Sequence, residues 1–240
     1  MNTKLVKRYT VLGILFFLPV AFLLMLLPAK HNYNPLDIVE TQVSDLQDFA
    51  STNGQTIQLK DHITVLVFLG NHPMENAVAA SNLKELVYDK FKGFKKFQVV
   101  VALPNGAESE VEQLKKEIHS YEELKYWQFV YGSENAISQL YNSLKHKNTL
   151  TADFATTQVF IVDKDLNQRG RLDDRTDDEK ATKKPVYDLV SYNALEIAEI
   201  KDKLCADDLR VLFQEYREKR KGNFDSSTRR ANNLKAKNNE

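Results

Sequence analysis

The sequence predicts an α/β domain, a central mixed sheet flanked by helices, preceded by one membrane-spanning helix and extended by an added C-terminal helix. Three observations carry this. Continuous apolar runs of strand length occur at residues 63–69 (ITVLVFL), 97–103 (FQVVVAL) and 157–162 (TQVFIV), the form expected of strands buried on both faces of a sheet. Segments of helical apolar spacing lie between them, which implies parallel crossovers. One uncharged run of 19 residues, 9–27, stands ahead of them all.

That run reads YTVLGILFFLPVAFLLMLL, and at helical rise it spans ~28 Å, close to the thickness of a bilayer core. Pro19, near its centre, is tolerated in membrane helices. Lys4, Lys7 and Arg8 precede the run while Lys30 alone follows closely, so the positive-inside bias places residues 1–8 in the cytoplasm and the rest outside. A cleaved signal peptide is the competing reading, but the apolar run is long and 27–30 (LPAK) lacks a small-x-small site. The expectation is a signal-anchor at 9–28, single-pass in a bacterial inner membrane, with the soluble domain in the periplasm.

Residues 29–40, carrying Pro35, are expected to be a polar stalk, and the domain is expected over 41–221. At its start, Asn53-Gly54 followed by alternating Thr56, Ile57, Gln58 and Leu59 predicts a hairpin across 49–59. After the first buried strand, 70–76 reads as a loop and 77–91 as a helix bearing Val78, Leu83, Leu86, Val87 and Phe91. Pro104-Asn105-Gly106 closes the second strand. A helix over 108–121, a short strand at 127–131 and a helix over 134–145 follow. The third strand turns at 163–167 into another at 168–172.

Residues 173–184 are highly charged and read as a solvated loop. Residues 193–221 resume helical spacing through Leu195, Ile197, Ile200, Leu204, Leu209, Leu212 and Phe213. From Arg217 onward eight basic and three acidic side chains give a local charge of +5, and 222–240 is expected to be a disordered basic tail.

Composition excludes several chemistries. Lys plus Arg and Asp plus Glu both total 33, so no overall charge excess points to nucleic acid, and none is expected as a partner. Cys205 is the single cysteine, which rules out an internal disulfide and a dithiol redox pair and also thiolate-rich zinc sites. Its place beside Leu204 on an apolar helical face favours a buried, inert thiol, with an intermolecular disulfide as the alternative.

The order hairpin, buried strand, loop, helix, strand and late strand-turn-strand resembles the Sco/SenC family of thioredoxin-like proteins, which help assemble the copper site of cytochrome oxidase. Residues 48–70 (DFASTNGQTIQLKDHITVLVFLG), the helix after that loop and 157–172 (TQVFIVDKDLNQRGRL) carry the likeness. It implies a thioredoxin-like sheet with the working loop at 70–76. In the family that loop holds a cysteine pair, and a histidine before the late strand completes a copper site. Here the loop is Gly70-Asn71-His72-Pro73-Met74-Glu75-Asn76, and the position implied for the histidine falls near Ala155 or Thr156. Neither the thiols nor that ligand is present.

His72 and Met74 are the candidate metal ligands, since imidazole and thioether suit Cu(I), although two ligands make a poor cage. Asp163, Asp165 and Asn167 imitate the start of a calcium loop but lack its glycine and distal glutamate, so a β-turn is expected. His62, His119 and His146 share no ligand spacing. The leading expectation is a redox-inactive, non-enzymatic Sco-like protein that binds another protein, in copper delivery or respiratory oxidase assembly. A metal carrier using His72 and Met74, with copper as its ligand, and a purely structural envelope protein are the alternatives.

Overall fold

Every residue of β3 (Ile63–Phe68) and of β4 (Phe97–Pro104) is buried, as the uninterrupted apolar runs require of central strands. The computed structural model describes residues 3–26, 35–52, 54–118 and 124–222. The chain divides into two compact units, Met1–Asn34 and Pro35–Glu240.

The first unit is a helix, α1 (Thr3–Leu26), which continues through Pro19. Its stretch Val6–Met25 has a mean hydropathy of 2.0 and no buried part, so it is long and apolar enough to cross a membrane.

In the second unit the remaining strands are β1 (Asp37–Glu40), β2 (Ala50–Ser51), β5 (Trp127–Gly132), β6 (Gln158–Val162), β7 (Gln168–Gly170) and β8 (Tyr192–Asn193). Across the sheet they run β1-β7-β6-β3-β4-β5-β2, and β8 pairs with β6. β3, β4 and β5 are mutually parallel, with Val65 opposite Val99 and Val99 opposite Trp127. β6 lies antiparallel to β3, and β7 antiparallel to β6.

The helices of this unit begin with α2 (Ala77–Leu83), which runs on through a π-helical stretch at Lys84–Tyr88 to a last turn at Asp89–Phe91. α3 (Glu108–Ile118), α4 (Glu134–Asn142) and the short α5 (Asp177–Ala181) follow. α6 opens as a π-helix over Glu199–Leu209 and continues as an α-helix over Arg210–Arg220.

Strand periodicity divides the core in two. Ile63, Val65 and Val67 face the side packed by α2, α3 and α6, whereas Leu66 and Phe68 face the side packed by Ile137, Leu140 and Tyr141 of α4. Helices therefore cover both faces of a mixed sheet, and the order β7-β6-β3-β4 with its helical crossover defines a thioredoxin-like fold.

The structure corrects four expectations. Residues 49–59 do not close into a hairpin. The turn forms, with Gly54 N–H donating to Ser51 O at 3.1 Å, but β2 pairs with β5 (Ala50 opposite Tyr131) because the outer edge of β5 needs a partner. A side chain at Gly132 would meet the Phe49 ring at 2.8 Å, which makes that docking possible. Asn53 itself lies outside the described residues.

The second correction concerns the stalk: Asp37–Glu40 is an edge strand on β7, held because Leu36 is buried and its carbonyl accepts from Arg169 Nη2 at 2.8 Å. In the third, the charged segment at 173–184 folds a helical turn, α5, closed by a reciprocal cap between Thr176 and Glu179. In the fourth, Leu195 and Ile197 are exposed. Leu195 lies in the turn ahead of the helix, its N–H donating to Asn193 Oδ1 at 3.1 Å, and Ile197 sits at the helix start, whereas Ile200, Leu204 and Leu209 face the core as expected. The expected tail beyond Gly222, the stalk residues 29–34 and His119 lie outside the described residues.

Candidate functional site

In open α/β sheets ligands gather beyond the carboxyl ends of the parallel strands, and here that end is formed by the loop after β3. Gly70 leaves the strand with φ +77°, and a Cβ there would lie 2.4 Å from Asp153 O. The missing side chain lets two loops meet. Asn71 N–H donates to Asp153 O at 2.9 Å, Leu69 bridges Ala155, and Thr156 N–H donates to Phe68 O at 3.0 Å. The neighbouring Phe154 takes φ 61°, an unusual conformation for a bulky residue.

Pro73, buried, begins a 3₁₀ turn at Pro73–Asn76 that leads into α2, a position where its fixed φ fits and its missing N–H costs nothing. Asn76 Nδ2 donates back to Leu69 O at 3.1 Å. The loop is thus held from both ends, and it presents His72 outward.

His72 Nδ1 lies 3.0 Å from Glu110 Oε1 of α3, with side-chain exposures of 55% and 32%. The hydrogen bond to Glu110, and then its charge, raise the imidazole pKa, and Glu75 and Asp153 add to this. Reciprocally, the bond from His72 lowers the Glu110 carboxyl, which also accepts from the Met74 backbone N–H. One carboxylate therefore ties the His72 side chain and the Met74 main chain to α3.

The expected pair is thus split in its roles. His72 is exposed and already engaged, while the Met74 side chain is half-buried against the core. Ala155 sits across from Leu69 at this same end, and the Thr156 hydroxyl accepts from Gln158 N–H at 3.1 Å and bonds Tyr141. Among the described residues no three His, Cys, Asp or Glu side chains converge on one point. The carboxylate at Nδ1 leaves the Nε2 of His72 for a ligand, as in metal-bound histidines oriented by a carboxylate, but the Met74 thioether, the soft donor beside it, is packed against the core.

Thiol chemistry has no nucleophile here either, since Cys205 is buried in α6. Asp163 forms the expected turn, its Oδ1 accepting from Asp165 N–H at 2.9 Å and Asn167 N–H at 3.0 Å. His62 Nδ1 contacts Lys60 O, and His146 rests on the Tyr141 ring with centroids 4.3 Å apart. Sequence reasoning missed Glu110 and Asp153. Glu110 is 38 residues from His72, and nothing local marks it beyond its place in an acidic first turn.

The fold and this end together define a thioredoxin-like domain whose loop after β3 carries a histidine bonded to a glutamate of α3. No family model matches the chain, and no curated protein matches it in sequence. Among solved structures it is similar to the soluble domain of Sco1 from Bacillus subtilis, at 15% identity and a TM-score of 0.42, covering 70% of this chain and 89% of that one. It is also similar to Arabidopsis thaliana ScoI with copper bound, at 12% identity and a TM-score of 0.42, covering 71% and 98%. A third is Bradyrhizobium japonicum ScoI with copper bound, at 13% identity and a TM-score of 0.39, covering 67% and 96%.

Proposed function

We propose that this chain is a membrane-anchored, redox-inactive thioredoxin-like protein, with its domain on the periplasmic side, that works by binding another protein rather than by catalysis. The observation that carries the reading is the working end of the fold. A rigidly held loop there presents the His72–Glu110 pair, where thiol–disulfide exchange requires a thiolate. Such a pair offers hydrogen bonds and a paired charge to a partner but has no sulfur with which to attack a disulfide. The process we assign is assembly of the respiratory oxidase, in line with the Sco proteins named above.

Two measurements on the full chain in detergent test this. Titration with Cu(I) against a competing chelator should show no stoichiometric uptake, and a His72→Ala, Met74→Ala variant should behave identically; uptake lost in that variant would establish a carrier. Affinity capture from solubilised membranes should enrich oxidase subunits, with at least about tenfold loss for Glu110→Lys, the scale expected when a charge is reversed at the centre of an interface. Capture indifferent to Glu110 would remove the site from the binding surface.

A further inference from the structure

The opposite end of the sheet has a different chemistry. The loops before β3 and β4 and the β6–β7 turn meet there, with Ile63 N–H donating to Lys96 O at 2.8 Å and Asp61 N–H to Lys164 O at 3.0 Å. The end of α6 lands on the same place, where Tyr216 Oη donates to Asp165 Oδ2 at 3.1 Å. The Tyr216 ring lies within 5.0 Å of Lys164 Nζ and 4.6 Å of Lys219 Nζ. Burial, and then the nearby charges of Arg220 and Lys96, push the Lys164 ammonium pKa down, with Asp61 and Asp165 offsetting only part of this.

Beside these cations stands an exposed aromatic. Phe94 is 49% exposed and packs on Phe213 of α6 with ring centroids 4.5 Å apart. Lys95 and Lys96, next to it in sequence, are both exposed. Cations held close to one another are relieved by an anionic surface, and an aromatic ring among them suits the boundary between headgroups and acyl chains.

We propose that this pole is a lipid-facing surface, with Lys95, Lys96, Lys164 and Arg220 meeting anionic phospholipid headgroups and Phe94 entering the interface. The proposal rests on the membrane-anchored reading above. Lysine serves as a point charge for phosphate without demanding a fixed geometry, and tethering to a bilayer supplies a high effective concentration of headgroups. An acidic polypeptide is the competing occupant, but only the bilayer is already held near the domain by the anchor.

The test uses the full chain carrying Phe94→Trp, because the native Trp127 is buried and reports little from the surface. The protein is reconstituted into vesicles with brominated acyl chains, made either of phosphatidylcholine alone or of phosphatidylcholine mixed with phosphatidylglycerol. The introduced indole should be quenched in the anionic vesicles, much less in the neutral ones, and the effect should fade at high salt. Each of Lys95→Gln, Lys96→Gln and Arg220→Gln should weaken the association about fivefold; these positions are exposed, so folding is preserved. Equal quenching in both lipids, or quenching unmoved by the three substitutions, would overturn the proposal, as would charge-dependent binding of polyglutamate without quenching. Resistance to carbonate extraction is read separately: its loss removes the anchor, while lipid-dependent quenching still decides the pole.

Discussion

His72–Glu110 and the cluster around Arg169 both join parts of the chain far apart in sequence, under opposite conditions. The first pair is open to solvent, whereas Arg169, Asp163 and Glu215 have side-chain exposures of 3%, 1% and 2%. Arg169 donates to Asp163 Oδ2 at 2.9 Å, to Glu215 Oε2 at 2.6 Å and to Leu36 O at 2.8 Å. Burial works against the guanidinium charge, but Glu215 and Asp163 outweigh it and raise its pKa. Next to it Arg171 donates to Asp208 and Asp174, and Asp208 also accepts from Tyr192. The buried cluster fixes α6 and β1 to β7; the exposed pair arms a surface without holding the fold. Placement, rather than the kind of charge, separates scaffold from site.

The sharpest break of that contrast is Arg169→Ala. It leaves Asp163 buried without its cation and Glu215 with Lys219 alone, and unfolding by urea should show a loss of about 3–5 kcal/mol. A loss below about 1 kcal/mol, the range of exposed pairs, would erase the distinction between the two regions.

Gly70→Ala attacks the site end through the backbone. With φ +77° and Asp153 O at 2.4 Å from the added carbon, it should cost about 1–3 kcal/mol. It should also shift the amide resonances of Asn71 and Ala155, while those around Arg169 stay in place. A neutral outcome would mean that the two loops do not depend on close approach.

Thr176→Ala, which removes the cap of α5, should cost about 1 kcal/mol at most. The Glu179 carboxyl of that turn is held down to about 2 by the Thr176 backbone N–H, then by Tyr187 and Lys184. Because its folded pKa is lowered, the contribution is present above the ordinary carboxylate value and lost as pH falls toward about 2. A hydrogen-exchange profile of 177–181 that does not change with acid would contradict this.

The smallest effect on stability is expected at His72, where NMR should give the clearest signal. Its imidazole should titrate above the ordinary 6.5 and return toward it in Glu110→Gln. The paired, charged form is complete below the ordinary histidine value and disappears as pH rises through the raised one. Unchanged titration in Glu110→Gln would detach the histidine from α3.

Much of the fold could be read before any coordinates. The runs at 63–69, 97–103 and 157–162 became β3, β4 and β6, since a segment apolar on both faces is stable only inside a sheet covered twice. The Asp163 turn and the buried Cys205 followed from local chemistry. The T-x-x-E cap at Thr176 was equally local, and the charge around it masked it. Residues 49–59 went the other way: a strong turn pair predicted a hairpin, but strand pairing is settled by which edge is open, and that edge belonged to β5. Leu195 and Ile197 failed for a related reason: the apolar spacing extends past the point where the helix begins, and the Asn193 side chain caps a turn that leaves Leu195 ahead of it.

By itself, then, the amino-acid order determined what is local: where the buried strands lie, which run is apolar enough to span a bilayer, and that one lone thiol forbids dithiol exchange. Only the tertiary structure decided which distant residues meet. Glu110 reaches His72, Asp153 closes on Gly70, Arg169 gathers Leu36, Asp163 and Glu215, and Lys96, Lys164 and Arg220 from two loops and α6 come together. The reason is physical: hydrophobic periodicity and turn chemistry act over a few residues, whereas pairings across 38 to 133 positions arise only when packing brings those segments together.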